Sequence, residues 1–251
     1  MELLAFYLKT TLFLTVTLIL SPLYFFILFV FFKWRHRIGP KLVQLYSKIC
    51  LVIFRVSIDR ANGSQFYDNR GKGMLIIANH ASFLDIFVLS ASFGSVFVSK
   101  EEVKYYPIFG QIAWLMGVIF FNRTASQERM RVLNTISSTC SDRLVVVFPQ
   151  GTTGRIADRL PFNRGIFKVT ELNPDISLLP VTLHYREDAD IAWHRPQSLK
   201  ENAMRVCAKR SIHVKVSIHA PVTIEHYREK TASQICKLVE GAVLEPLQNE
   251  Y

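Results

Sequence analysis

Cysteine is scarce in this chain: Cys50, Cys140, Cys207 and Cys236 are the only ones in 251 residues, with no CxxC pair and no histidine at ligand spacing beside them. That scatter excludes a zinc site and a disulfide framework and leaves reduced structural thiols. Internal repeats, low-complexity tracts and linkers are absent after about residue 60, so that region is one domain. No GxSxG stretch occurs, which removes a serine on a nucleophile elbow. Acidic residues are in deficit, 20 against 30 Lys plus Arg, giving a formal charge of +10 and a pI near 9.6. So basic a chain calls for an anionic partner: nucleic acid, an anionic lipid surface, an acidic carrier protein or a phosphorylated substrate. What is plentiful is apolar surface. Half the residues are apolar and the mean hydropathy is +0.21, high for a freely soluble protein.

Charge vanishes altogether from Thr10 to Phe32, TTLFLTVTLILSPLYFFILFVFF. This run exceeds the roughly 20 residues needed to cross a bilayer. It is too long for a signal peptide, and KWRHR comes after it in place of a small-residue cleavage site. Pro22 removes one backbone donor and would kink a helix, so a bent or re-entrant insertion competes with a straight span. Lys33, Arg35, Arg37, Lys41 and Lys48 place the rest of the chain on the cytoplasmic side of a bacterial inner membrane or its equivalent. Each adds about 1 kcal/mol of attraction to an anionic leaflet. A second apolar stretch, Leu42 to Ile58, reads as an amphipathic helix lying on the membrane or, equally, as a core helix of the adjoining domain, with Gly39 and Pro40 as the turn between the segments. Residues 1–58 thus form a membrane-anchoring helical segment, and 59–251 a separate α/β domain.

In that second part short apolar runs, MLIIA (74–78), SVFVS (95–99), VIFF (118–121), LVVVF (144–148) and LLPVTL (178–183), alternate with helical patterns over Val103–Met116, Ala125–Cys140 and Arg164–Leu172. The spacing predicts a mostly parallel, mixed sheet with helices on both faces. IHVKVSI (212–218) alternates as a half-exposed strand, and a helix closes the chain between Tyr227 and Leu247.

Ligands of such sheets gather beyond the carboxyl ends of strands. Three polar clusters fall there. NHASFLD (79–85) comes directly after MLIIA. Positions five apart on one helix point about 140° away from each other, so His80 must sit in a loop and Asp85 in the first turns of a helix starting near Ser82 if the two are to meet. Such a pair acts as a base, the carboxylate holding one imidazole nitrogen and freeing the other to take a proton from a hydroxyl. The alternative is that Asn79 and Ser82 merely cap the helix. PQGTTGR (149–155) comes after LVVVF and offers donors to an oxyanion or phosphate; a plain glycine turn is the other reading. GVIFFNR (117–123) ends in Arg123, a phosphate grip or a solvated residue.

Together NHASFLD, GVIFFNR, FPQGTTGR and LLPVTL resemble, in order and spacing, the four motifs of the glycerolipid acyltransferases, whose best-known members are the 1-acylglycerol-3-phosphate acyltransferases. KEEVKYYPIFGQIAWLMGVIFFNR resembles the segment joining the first two motifs, and the likeness extends well from Arg60 to Tyr185. The resemblance implies acyl transfer from a thioester to a lysolipid hydroxyl without an acyl-enzyme, with His80 as base and Asp85 as its orienting partner. Arg123, Gln150, Gly151, Thr152, Thr153 and Arg164 fall in the part associated with the acceptor and its phosphate. It implies no cofactor and no metal, acyl-CoA or acyl-ACP as co-substrate, and anionic membrane lipids as partners. Gln150 stands where the motif most often has glutamate, so a carboxylate role there is lost, and the glutamine can bond an acceptor hydroxyl or hold the loop. Thr153 stands where many lysophosphatidate-specific members have arginine, which leaves another acceptor, such as a lyso-ornithine lipid, compatible. Backbone N–H groups near the helix start are expected as donors to the anionic intermediate. Arg129, Arg131, Arg143, Arg159 and Lys168 read as contacts for an acidic carrier protein or coenzyme A, or as solvated faces. His184, His194, His213, His219 and His226 match no metal spacing. Nucleic-acid binding is disfavoured, since the charge accompanies a membrane anchor and no such module is present. A non-catalytic lipid-binding protein of the same fold and a lipid esterase remain as other readings.

Overall fold

The computed structural model describes residues 2–60, 73–105, 110, 113–114, 117–122 and 126–248. The uncharged run becomes helix α1 (Glu2–Val30), which continues through Pro22. Phe13 and Thr17 are buried, with Phe6, Leu20 and Tyr24 beside them, a single stripe at helical spacing that packs into the core of the domain. Thr17 Oγ1 lies 2.7 Å from Tyr46 Oη, and Lys9 Nζ donates to the Lys209 carbonyl at 2.9 Å. On the other side Leu4, Leu8, Ile19, Phe26 and Phe29 are exposed, and only 11% of the most apolar window is buried, so most of the helix needs a cover other than water.

The reversal expected at Gly39–Pro40 occurs earlier, in a single 3-10 turn at Phe32–Trp34, and both residues lie inside helix α2 (Arg35–Phe54). Of the two readings of this stretch the structure selects the core helix: Tyr46, Ser47, Cys50, Leu51 and Phe54 are buried. The helix ends four residues before the expected Ile58. Arg55 takes a left-handed conformation (φ 58°), its N–H bonding the Leu51 and Val52 carbonyls, and the β-branched Val56 and Ile58 then enter strand β1 (Val56–Arg60). The boundary drawn at residue 58 therefore falls within a strand, and the anchor helices share one hydrophobic cluster with the sheet.

Strands β2 (Met74–Ala78), β3 (Val96–Lys100), β4 (Ile119–Phe121), β5 (Val145–Val147), β6 (Ser177–Tyr185) and β7 (Ile212–Ile218) complete a seven-stranded sheet in the order β1-β7-β6-β2-β5-β3-β4. β6, β2, β5, β3 and β4 run parallel; β7 is antiparallel to β6 and parallel to β1, a mixed sheet as expected. Continuous burial of Leu75 to Ala78 and of Val145 to Val147 results from cover on both faces. One face carries α1, α2, α3 (Leu84–Phe93) and α5 (Leu199–Ala208); the other carries α4 (Ser126–Cys140) and the C-terminal helix α6 (Ala232–Gln248). Gln44 of α2 donates to the Ala91 carbonyl near the end of α3, and Gly94, with φ +62°, lets that end approach Pro40, whose carbonyl a Cβ would meet at 3.4 Å.

Thr182 of β6 donates its hydroxyl proton to the Val243 carbonyl at 2.7 Å, so His219 Nε2, 2.8 Å away, must be the donor to that oxygen. Burial pushes His219 below its ordinary 6.5. A depressed histidine contributes stability that is whole above 6.5 and lost as the pH falls through the folded value. Chemical denaturation between about pH 7.5 and about pH 5 should show the stability falling, and falling less in His219→Gln.

Candidate active site

Because five strands are parallel, their carboxyl ends open at one edge, which gathers Asn79 and His80 after β2, Lys100 at the end of β3, Asn122 after β4, the Phe148–Gly154 loop after β5 and Tyr185 at the end of β6. Asn79 is not a helix cap. Its amide donates to the Leu183 carbonyl at 2.9 Å and its oxygen accepts from Leu183 N at 2.8 Å, locking the turn to β6. His80 then lies in the loop, and α3 begins at Leu84 with Asp85 as its second residue.

The expected pair forms, with His80 Nδ1 2.7 Å from Asp85 Oδ2. Asp85 is fully buried, and its carboxylate also accepts from Ala81 N (2.7 Å), Ser82 N (2.9 Å) and the Tyr185 hydroxyl (2.7 Å). All four partners donate, so His80 carries its proton on Nδ1 and presents a bare Nε2. Burial first, and then the charge of Asp85, push the Tyr185 phenol well above its usual range, which keeps it a donor. The imidazole stacks on Phe148, centroids 4.0 Å apart and planes at 10°, and its side chain keeps 18% exposure. These contacts fix the ring and leave one edge open.

Gln150 is engaged at both ends: its oxygen accepts from His80 N at 2.6 Å and its amide donates to the Leu160 carbonyl at 3.2 Å. Of its two expected roles this is the holding of the loop. Gly151 has φ +73° and closes a tight turn onto Phe148 O. Thr152 is exposed and Thr153 half-buried; Gly154 N donates to His80 O at 3.1 Å. A Cβ on Gly154 would meet Leu160 Cδ1 at 2.5 Å, so any other residue there would force the Leu160 side chain to shift. Asn163 donates to Pro149 O at 2.8 Å and sets the exposed Arg164 beside the Gln150–Thr153 turn. Arg123 lies outside the described residues.

Three features were not anticipated. Tyr185 supports Asp85 from 100 residues away; its signal was the alternation along β6, which puts it on the same face as Val181 and Leu183, toward α3. Donors to the intermediate were expected, without assignment, among the N–H groups near the helix start; two of those, Ala81 and Ser82, are committed to Asp85. Helix α6 reaches the site: Glu240 accepts from Phe162 N at 2.6 Å, and Leu244, Leu247 and Gln248 line a small cavity of about 40 Å³ against His80.

A strand-end histidine held by an aspartate five residues on, beside a Gly-Thr turn, is the arrangement that the resemblance to the acyltransferases implies. The acyltransferase family model matches residues 60–184, and the chain belongs to that family. It is similar to the 1-acyl-sn-glycerol-3-phosphate acyltransferase of Neisseria gonorrhoeae, 29% identical over 144 residues, 57% of this chain and 56% of the relative. A lyso-ornithine lipid O-acyltransferase of Rhizobium meliloti is 41% identical over 86 residues, 34% of this chain and 30% of the relative. The chain thus spans about half the length of the first of these relatives and under a third of the second. The crystal structure of the 1-acyl-sn-glycerophosphate acyltransferase PlsC from Thermotoga maritima shares the fold, with a TM-score of 0.75, 99% of this chain and 97% of that chain covered, and 17% identity.

Replacing Tyr185 by Phe removes one donor from a buried charge. We expect a stability loss of about 1.5–3 kcal/mol in denaturant titration and a fall in kcat of about tenfold, equivalent to one weakened orienting bond.

Proposed function

We propose that this protein transfers a fatty acyl group from an acyl-CoA or acyl-ACP thioester to the free hydroxyl of a membrane lysolipid, with 1-acylglycerol-3-phosphate as first acceptor and phosphatidate as product. The observation that carries this reading is the 2.7 Å contact that fixes Nδ1 of His80 on Asp85 and frees Nε2. The acceptor hydroxyl gives its proton to Nε2 as its oxygen attacks the thioester carbonyl. The tetrahedral oxyanion collapses, the C–S bond breaks, and the departing thiolate takes the proton from Nε2 to leave as thiol. The alternative of a thiol nucleophile has no support: Cys140 and Cys236 are buried, with thiols pushed up to about 12 and about 11.

Helix α1 packs one stripe against the domain along its length and leaves the other apolar, which favours insertion into one leaflet over a free span. Lys33 in the turn after that helix, with Arg37 and Lys41 in the first two turns of α2, matches an anionic cytoplasmic leaflet. A lyso-ornithine lipid is the second acceptor to consider, because Thr153 puts no charge in the turn after β5.

The test is acyl transfer by the detergent-purified protein with each acceptor and each donor. His80→Ala should lower the rate by about 10²–10⁴-fold. Free fatty acid released without any lysolipid would make the protein an esterase. Absence of transfer, or an undiminished His80→Ala, would leave a lipid-binding protein.

A further inference from the structure

Two arginines, Arg155 and Arg159, line the cavity in front of His80 together with Gln150, Leu160 and the end of α6. Arg155 is committed: its Nε and Nη2 donate to Asp158 Oδ1 at 3.2 and 2.9 Å, and its N–H bonds Asp158 Oδ2 at 2.9 Å. The exposed Arg159 guanidinium makes no hydrogen bond or ion pair with any described residue.

The backbone of Arg159 is strained. It sits at φ 44°, ψ 46°, closing the 3-10 turn Ile156–Asp158 with its N–H on the Ile156 carbonyl at 3.1 Å. Glycine or asparagine closes such a turn without strain, whereas a long L side chain in this region is unfavourable. Among the described residues only Arg55 and Arg159 are non-glycines with positive φ. Arg55 passes the chain from α2 into β1, away from this cavity; Arg159 stands in it. Strain retained beside a reactive group points to a function for the side chain.

We propose that Arg159 binds the anionic headgroup of the acceptor lipid and sets acceptor preference, a proposal that rests on the acyl-transfer reading above. In 1-acylglycerol-3-phosphate the phosphorus joins the reacting carbon through one carbon and one oxygen. A group that grips the phosphate must therefore share the cavity of the base. A free guanidinium fork matches two phosphate oxygens, and it matches the carboxylate of a lyso-ornithine lipid by the same chemistry. That carboxylate lies farther along the chain from its hydroxyl, so the effect is larger for lysophosphatidate.

Arg159→Asn and Arg159→Gly both relieve the backbone, which separates function from folding. In the full-length protein in detergent, both variants should raise the acceptor KM for lysophosphatidate by about tenfold or more, the value of one charge-assisted contact. The rise should be smaller for a lyso-ornithine lipid and absent for neutral 1-monoacylglycerol. KM for the thioester donor should not move, the thermal midpoint should hold or rise, and Arg159→Lys should recover part of the loss. An unchanged acceptor KM, an equal rise with monoacylglycerol, a rise confined to the donor, or a fall in thermal midpoint with equal loss on every acceptor overturns the proposal. Equilibrium binding of radiolabelled lysophosphatidate is measured in parallel. If the parent protein transfers no acyl group, the acyl-transfer reading fails by itself. Binding that weakens in Arg159→Asn then still upholds the headgroup site, and binding that is equal in both, or absent in the parent, overturns it.

Discussion

Asp85 is a carboxylate with no access to water, and a buried charge persists only when its acceptor sites are filled. Four donors fill them, and they come from two parts of the chain: the turn after β2, through Ala81 N, Ser82 N and the His80 imidazole, and the end of β6, through Tyr185. Satisfying this one charge therefore fixes the path of the loop, the tautomer of the histidine and the distance between β2 and the first turn of α3. Asn79 adds a second clamp, pairing through its amide with the backbone of Leu183 as a further strand residue would. The imidazole is placed by its stacking on Phe148 and by the requirements of the carboxylate behind it.

The wall opposite is built from loops that hold one another. Gln150 bridges His80 N and Leu160 O, Gly154 admits Leu160 by lacking a side chain, Asn163 bonds back to Pro149, and Glu240 of α6 takes Phe162 N. Each bond crosses between segments that are separate in sequence, so the turn after β5, the loop before Arg164 and the C-terminal helix behave as one unit beside the imidazole. A glutamine in place of glutamate suits this arrangement, because it must donate to a carbonyl as well as accept from an N–H.

Much of the architecture is legible in the sequence alone. MLIIA and IHVKVSI are strands over the residues predicted, and His80 and Asp85 meet because an i, i+5 pair can do so only across a loop-to-helix corner. The parts that escaped share a cause: their determinants are not local. β1 was hidden in a helical pattern because the break rests on the left-handed Arg55, and no residue type there announces one. Tyr185 lay beyond the apolar run that identified β6, with its partner 100 residues distant. The role of α6 depends on where its last turns come to rest against the β2 and β5 loops. The sequence offered N–H groups near the helix start as donors but could not assign them, and two of them, Ala81 and Ser82, go to the carboxylate of the same motif.

Helix α1 is built into the protein along one stripe and bare along the other. A helix so divided cannot be withdrawn from lipid without exposing aromatic and aliphatic surface, nor pushed deeper without tearing open the core that contains Phe13 and Tyr46. With α1 inserted in one leaflet as proposed, the domain is held at a fixed depth, and the strand ends it carries stay at a fixed height above the bilayer. Under the acyl-transfer reading, chemistry with that constraint is two-dimensional: an acceptor lipid arrives by lateral diffusion, and the quantity that governs its encounter with His80 is its mole fraction in the leaflet rather than its concentration in solution.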